Sequence, residues 1–216
     1  MDMTQYVAKI EGSDGEKGLG VVAGDFILTC AHYYDVFKAD RFLMQSYSVE
    51  LPRGAGKSEY WVVTVDPVMD FMVLGMQPLN HKIEGDACVS LEDFDPAITP
   101  VRIEFAGDLT GARVRGYFYS PDGVTRNDVE FNLRKGVHAF HLSPPIGWPG
   151  CSGGPVFTSD DQLVGIMQGL FNAQGKILDA VACRIDLAAT GWLAQRYNGF
   201  APFVISEAGG CVLQVA

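Results

Sequence analysis

Long apolar runs are missing from this chain. Nowhere do hydrophobic residues continue for the ~18 positions a membrane helix needs, although 48% of the 216 residues are hydrophobic. That content is expected in a buried core, and the length suffices for one large domain or two small ones. Positive charge is also scarce: 16 Lys and Arg stand against 26 Asp and Glu, a net charge of −10. Such a balance argues against a nucleic-acid partner, whose phosphates are gripped by cations. The excess is uneven, with 7 basic and 16 acidic residues before position 100 and 9 and 10 after it. It would keep the surface soluble or attract basic partners. Cysteine is sparse and odd in number: Cys30, Cys88, Cys151, Cys183 and Cys211. This is no disulfide framework. No Cys-x-x-Cys pair occurs, which excludes the usual structural zinc motif. Reduced thiols, with no basic-then-apolar leader in Met1–Tyr6, give the expectation of a cytoplasmic location and no membrane partner.

Helical periodicity is equally rare. Only Asp186–Gln195 carries it, with Asp186 as a cap and Leu187, Thr190, Trp192 and Leu193 on one side. What the chain has instead is short β-rich runs punctuated by turns. Tyr6–Ile10, Gly20–Ala23, Phe26–Thr29, Tyr60–Val65 and Phe71–Gly75 read as strands of a first half. Val101–Phe105, Ala112–Tyr119, Asp128–Leu133, Val137–Leu142, Pro155–Thr158, Leu163–Gln168 and Ile177–Arg184 read as strands of a second. This spacing predicts an all-β sandwich or barrel class. A proline-bearing linker over Glu92–Thr99 would join two units. An N-terminal unit is expected over 1–97, a second with the terminal helix over 98–199, and an apolar tail over 200–216 that packs back or binds in trans.

Three segments carry chemistry. Gly150-Cys151-Ser152-Gly153-Gly154-Pro155 places one hydroxyl among glycines, which let backbone N–H groups turn inward and a carbonyl approach closely. A nucleophile beside an oxyanion site needs both. Leu28-Thr29-Cys30-Ala31-His32 supplies a histidine at a strand end. Asp70-Phe71-Met72-Val73-Leu74 supplies a carboxylate leading an apolar strand, whereas nearby Asp66 is tied to a turn by Pro67. His138 and His141, three apart on an expected strand, point to opposite faces and oppose a metal pair; His81 lies in a polar loop.

In the order His, Asp, Ser these segments resemble the trypsin/chymotrypsin-like serine protease superfamily, over about residues 15–195. Val164-Gly165-Ile166 is similar to the strand beside its specificity pocket. Ala180–Leu187 is similar to the last strand and helix entry of bacterial members, including HtrA-like proteases. The resemblance implies two six-stranded antiparallel β-barrels with a C-terminal helix. It implies a triad of His32, Asp70 and Ser152, an oxyanion hole from the N–H groups of Gly150 and Ser152, no metal and no cofactor. It further implies a pocket with Ile146 at its base and Gln168, Gly169 and Ala182 on its walls. Because Ile146 is not acidic, a taste for Lys or Arg is not expected; apolar or small side chains are.

Cys151 departs from the secreted relatives, which carry there an aspartate that pairs with a newly cut N-terminus. That activation route is not expected here. Cys151 as nucleophile is disfavoured because Ser152 directly precedes the two glycines; packing or a redox role remains open to it. The expected activity is serine endopeptidase action on a protein or peptide substrate, with a regulatory protein partner in place of a sensor domain. The alternatives are a catalytically silent protease-fold module that binds peptides as an added strand, and a viral processing protease of the same fold.

Overall fold

The computed structural model describes residues 3–13, 15–23, 26–33, 45–52, 56–76, 102–104, 109–119, 126–137, 139–185, 203–205 and 210–213. Fifteen strands lie among them. Six make the first barrel: β1 (Val7–Glu11), β2 (Lys17–Ala23), β3 (Phe26–Thr29), β4 (Ser46–Glu50), β5 (Lys57–Asp66) and β6 (Phe71–Gly75). All pairings are antiparallel, in the order β1-β2-β3-β6-β5-β4, and β4 closes on β1 through Lys9 opposite Glu50. The sequence does not flag β4, although Tyr47 and Val49 alternate inward with polar neighbours outward.

The second half holds β7 (Arg102–Glu104), β8 (Arg113–Tyr119), β9 (Arg126–Lys135), β10 (Ala139–Ser143), β11 (Pro155–Thr158), β12 (Gln162–Ala173) and β13 (Lys176–Arg184). Strands β8-β9-β10-β13-β12-β11 form a ring, closed where β11 pairs with both β12 and β8. The fold is therefore two closed six-stranded antiparallel barrels. The β12–β13 hairpin runs further than its sequence pattern predicts, out to Ala173. Two tail strands, β14 (Phe203–Ile205) and β15 (Gly210–Leu213), form a hairpin, and β15 pairs with β7 beside the second barrel. The expected helix over Asp186–Gln195 and the linker over Glu92–Thr99 lie outside the described residues, as do His81 and His138.

Burial explains why some first-barrel strands look uniformly apolar. On β2, Val22 faces the interior of the first barrel, while Leu19 and Val21 join a core shared with the second. On β3, Ile27 points in and Leu28 out; on β6, Met72 and Leu74 point in while Phe71 and Val73 point out. A strand alternates faces, and here both faces are covered, so alternation is lost from the pattern. The shared core includes Phe118, Phe157, Cys151 and Met167 of the second barrel. A short 3-10 turn, Met3–Tyr6, adds to it, with the Tyr6 ring centroid 6.2 Å from that of Phe157. The two barrels are thus welded by buried apolar surface, and the three expected site residues lie along that seam.

Candidate active site

Strand β3 delivers the histidine. Thr29 at its end is fully buried and its hydroxyl donates to the Leu19 carbonyl at 2.7 Å. The chain then tightens into a 3-10 turn, Ala31–Tyr33, which lifts His32 to the surface of the seam. Asp70 meets it from the turn ahead of β6. Asp66 Oδ1 accepts from the N–H groups of Val68 and Met69 at 3.0 and 3.1 Å, so Asp66 is the turn-former that its Pro67 neighbour implies. Asp70 itself takes a left-handed φ of 51°, which short polar side chains tolerate best among non-glycine residues. That turns its carboxylate onto His32. One oxygen accepts from the His32 backbone N–H at 2.8 Å, the other lies 2.8 Å from Nδ1.

A carboxylate only accepts, so Nδ1 must carry the proton and Nε2 is left as a base. The hydrogen bond to Asp70 raises the His32 pKa above its ordinary value, partly opposed by burial and helped by the charges of Asp70 and Glu16. The pair is only partly sheltered, with side chains 40% and 23% exposed.

The loop that carries Ser152 is held from both barrels. Cys151 N–H donates to the Trp148 carbonyl at 3.1 Å, with Pro149 and Gly150 at the centre of the turn. Gly150 has φ +88°, and Pro followed by a positive-φ glycine is the signature of a type II turn. Gly153 is locked in place: φ is +84°, and a Cβ would run into the Leu19 carbonyl and lie 2.6 Å from Thr29 Oγ1. Its N–H donates to the Met167 carbonyl at 2.7 Å, and Met167 N–H returns a bond to Gly154 at 2.8 Å. The Ser152 carbonyl accepts from Leu19 N–H and from the Tyr33 hydroxyl, both at 2.8 Å. Among the described residues, neither Gly150 N–H nor Ser152 N–H has a protein acceptor. Two unpaired donors flanking the serine are what an oxyanion requires.

The Ser152 hydroxyl donates not to His32 but to the Gln168 carbonyl, at 2.8 Å. Gln168 in turn reaches across the seam, its Nε2 donating to the Met69 carbonyl at 3.0 Å. Asp70 and His32 are thus bonded to each other, while the Ser152 hydroxyl rests on a neighbouring carbonyl.

Sequence reasoning missed Tyr33. Its ring lies 4.7 Å from that of His32, its hydroxyl reaches Ser152, and its own carbonyl accepts from Tyr47 at 2.9 Å. Burial pushes the phenol pKa far up, so it stays a donor. Position next to His32 is the one signal that could have raised it.

The pocket residues divide. Ile146 is 38% exposed at the loop surface. Gln168 and Gly169 lie where β12 bulges past β13, between Met167 and Gly169. Ala182 is the correction: it is wholly buried in the second core, so its methyl offers no accessible wall. His141 has a structural setting, its Nδ1 3.2 Å from Asp179 Oδ2, which also accepts from Arg134 at 2.8 Å.

Cys30, His32 and Asp70 bring potential ligand atoms within 4.8 Å of one another. They do not fit a metal. Cys30 donates its thiol proton to the Met167 carbonyl, burial holds its pKa well above the ordinary thiol range, and Nδ1 is engaged by Asp70. A metal needs the thiolate and a free ring nitrogen. Cys151 is buried too, and burial raises its pKa, opposite to what a nucleophilic thiol requires.

The same architecture recurs in solved structures. Rv3671c protease from M. tuberculosis in its active form superposes with a TM-score of 0.64 at 19% identity, over 89% of this chain and 81% of that one. Deg5 gives 0.63 at 21%, over 87% of each chain. A serine protease of human pathogenic astrovirus gives 0.59 at 16%, over 86% and 92%. The fold is that of the trypsin-like serine proteases. No family model matches the chain, and no curated protein matches its sequence. At these identities the trypsin-like fold is shared and the chemistry has to be argued from His32, Asp70 and Ser152 themselves. Among the described residues no helix is long and apolar enough to cross a membrane.

Proposed function

We propose that this trypsin-like chain is a serine endopeptidase that cleaves protein or peptide substrates through an acyl-enzyme on Ser152. The observation that carries the reading is the doubly bonded Asp70–His32 pair, which leaves Nε2 free to act as a base. In the reaction the Ser152 hydroxyl leaves Gln168 and turns to Nε2. His32 takes its proton as Oγ attacks the carbonyl, and Asp70 stabilises the resulting imidazolium. The N–H groups of Gly150 and Ser152 receive the negative charge on the carbonyl oxygen. His32 then returns the proton to the leaving amine, and water repeats the sequence to release the acid and free Ser152. None of these steps calls on a metal or cofactor.

The second reading is a silent protease-fold module that binds a peptide without cutting it. The Ser152–Gln168 hydrogen bond favours it, since a hydroxyl kept there never meets its base. Intact mass after fluorophosphonate treatment separates the two. Wild type and Cys151→Ala should each gain one adduct, and Ser152→Ala none. An unmodified wild type refutes the enzyme reading in the isolated chain and points to the silent module or to partner-gated activation.

A further inference from the structure

One backbone carbonyl on β12 collects donors from both barrels. The Met167 carbonyl accepts from the Gly153 N–H, next to Ser152, at 2.7 Å, and from the Cys30 thiol of the first barrel at 3.0 Å. A carbonyl oxygen has two lone pairs, so these donors fill it. Met167 N–H bonds back to the Gly154 carbonyl at 2.8 Å, which ties the acceptor itself to the loop of Ser152. Cys30 stands just past the end of β3, two positions before His32, and is wholly buried. Its sulfur, a ring nitrogen of His32 and a carboxylate oxygen of Asp70 all lie within 4.8 Å of one another. Burial, and next the charge of Asp70, keep the thiol protonated, so the sulfur is the donor. The turn that carries His32 is therefore bracketed. Cys30 ahead of it donates to Met167, and Tyr33 after it donates to the Ser152 carbonyl at 2.8 Å. Asp70 is joined to the same turn by its two bonds to His32, so whatever fixes the turn fixes the pair as a unit.

We infer that Cys30 is a positioning residue: its thiol, bonded to the carbonyl that also holds Gly153, sets the His32–Asp70 pair in register with the loop of Ser152. This rests on the endopeptidase reading above. A buried cysteine commonly serves as a small apolar filler. Two observations assign this one more. Its thiol hydrogen has an acceptor, and that acceptor is shared with the residue that follows Ser152. A thiol is a weak donor, so the bond adds little stability to a seam already closed by Phe118, Phe157 and Tyr6. Its effect falls on geometry instead. Misplacing a reacting group by about 1 Å can cost about 100-fold in rate. Loss of one weak bond can therefore be small in stability and large in rate.

The test sets substitutions at Cys30 against each other, read by the second-order rate of Ser152 inactivation by a fluorophosphonate, with denaturant titration to show that each variant is folded. Cys30→Val keeps an apolar side chain in the seam and removes the donor. Cys30→Ser keeps a donor and gives up apolar volume. A filler role predicts that Cys30→Val outperforms Cys30→Ser, because a buried hydroxyl is costly where an apolar group belongs. The positioning role predicts the reverse. Cys30→Val should react at least about tenfold more slowly than wild type, and Cys30→Ser at least about fivefold faster than Cys30→Val. Cys30→Ala removes the donor without adding bulk and should match Cys30→Val within about threefold. If the bulk of Cys30→Val prevents folding, Cys30→Ala takes its place against Cys30→Ser, with the same order expected. The infrared S–H band lost on going from wild type to Cys30→Ala should lie at the low frequency of a hydrogen-bonded thiol. A band at the free-thiol position, donor-less variants that react as fast as Cys30→Ser, or rates for all three within about threefold of wild type would overturn the positioning role alone. Absence of fluorophosphonate labelling on wild type would instead overturn the endopeptidase reading, and the positioning role with it.

Discussion

Replacing Asp70 with asparagine tests the central geometry, because the structure presents the carboxylate with two donors at once. The His32 backbone N–H and ring Nδ1–H each take one oxygen at 2.8 Å. A carboxylate accepts both; an amide has one oxygen and an NH2 group. If the asparagine oxygen faces the backbone, its NH2 meets Nδ1, the ring proton is driven to Nε2, and the base is lost. If the oxygen faces Nδ1, two N–H groups oppose each other at the backbone. Either way the imidazolium that forms during attack also loses its counter-charge. The expected fall in the chemical step is about 10²–10⁴, or about 3–5 kcal/mol of transition-state stabilisation. The assay is the second-order rate of Ser152 inactivation by a fluorophosphonate, which needs no known substrate. Its pH dependence gives a second readout. His32 must be neutral to act, and its pKa is raised above the ordinary 6.5, so wild-type reactivity should climb with a midpoint above that value. Asp70→Asn should move the midpoint down while lowering the plateau. The same pair affects stability with the opposite sense. Its contribution is full below the unfolded histidine pKa and disappears as pH rises through the raised folded value. A variant that reacts within threefold of wild type, with an unmoved pH midpoint, would refute the assigned role of Asp70.

Gly153→Ala should unfold or severely destabilise the chain. A positive φ at a non-glycine residue costs about 1–3 kcal/mol, and the added Cβ meets a backbone carbonyl that cannot yield; the total should exceed about 3 kcal/mol in a denaturant titration. Tyr33→Phe keeps the ring beside His32 and removes the hydrogen bond to the Ser152 carbonyl. It should cost about 0.5–1.5 kcal/mol of stability and lower kcat for a cleavable peptide, with KM unchanged. A change confined to KM would show that Tyr33 acts on substrate binding and not on the nucleophile loop.

The candidate site residues stood out in the sequence because their local settings are distinctive. Ser152 is announced by glycines with positive φ on both sides, His32 by its strand end, and Asp70 by its place at the head of an apolar strand. Strands with one solvated face, such as β4, keep their alternation; those at the seam lose it because both faces are buried. Apart from β4, what escaped the sequence depends largely on distant parts meeting. Tyr33 and Ser152 are 119 positions apart, Gln168 and Met69 are 99, and Cys30 and Met167 are 137. No local pattern encodes such pairs. Ala182 shows the converse hazard: a small residue on the expected strand looks fit to line a pocket, but its methyl is turned into the core.

Those long-range bonds also fix the surroundings of Ser152. Ser152 belongs to the second barrel, yet its carbonyl is held by Leu19 and Tyr33 of the first. Gly153 fits only because the Leu19 carbonyl leaves no room for a side chain. The Gln168 carbonyl that holds the resting hydroxyl belongs to a residue tied to Met69, one position before Asp70. The backbone around Ser152 is therefore over-determined, while its hydroxyl has one bond to exchange. On the proposed reading, the Ser152 hydroxyl has to give up its bond to the Gln168 carbonyl before it can serve His32.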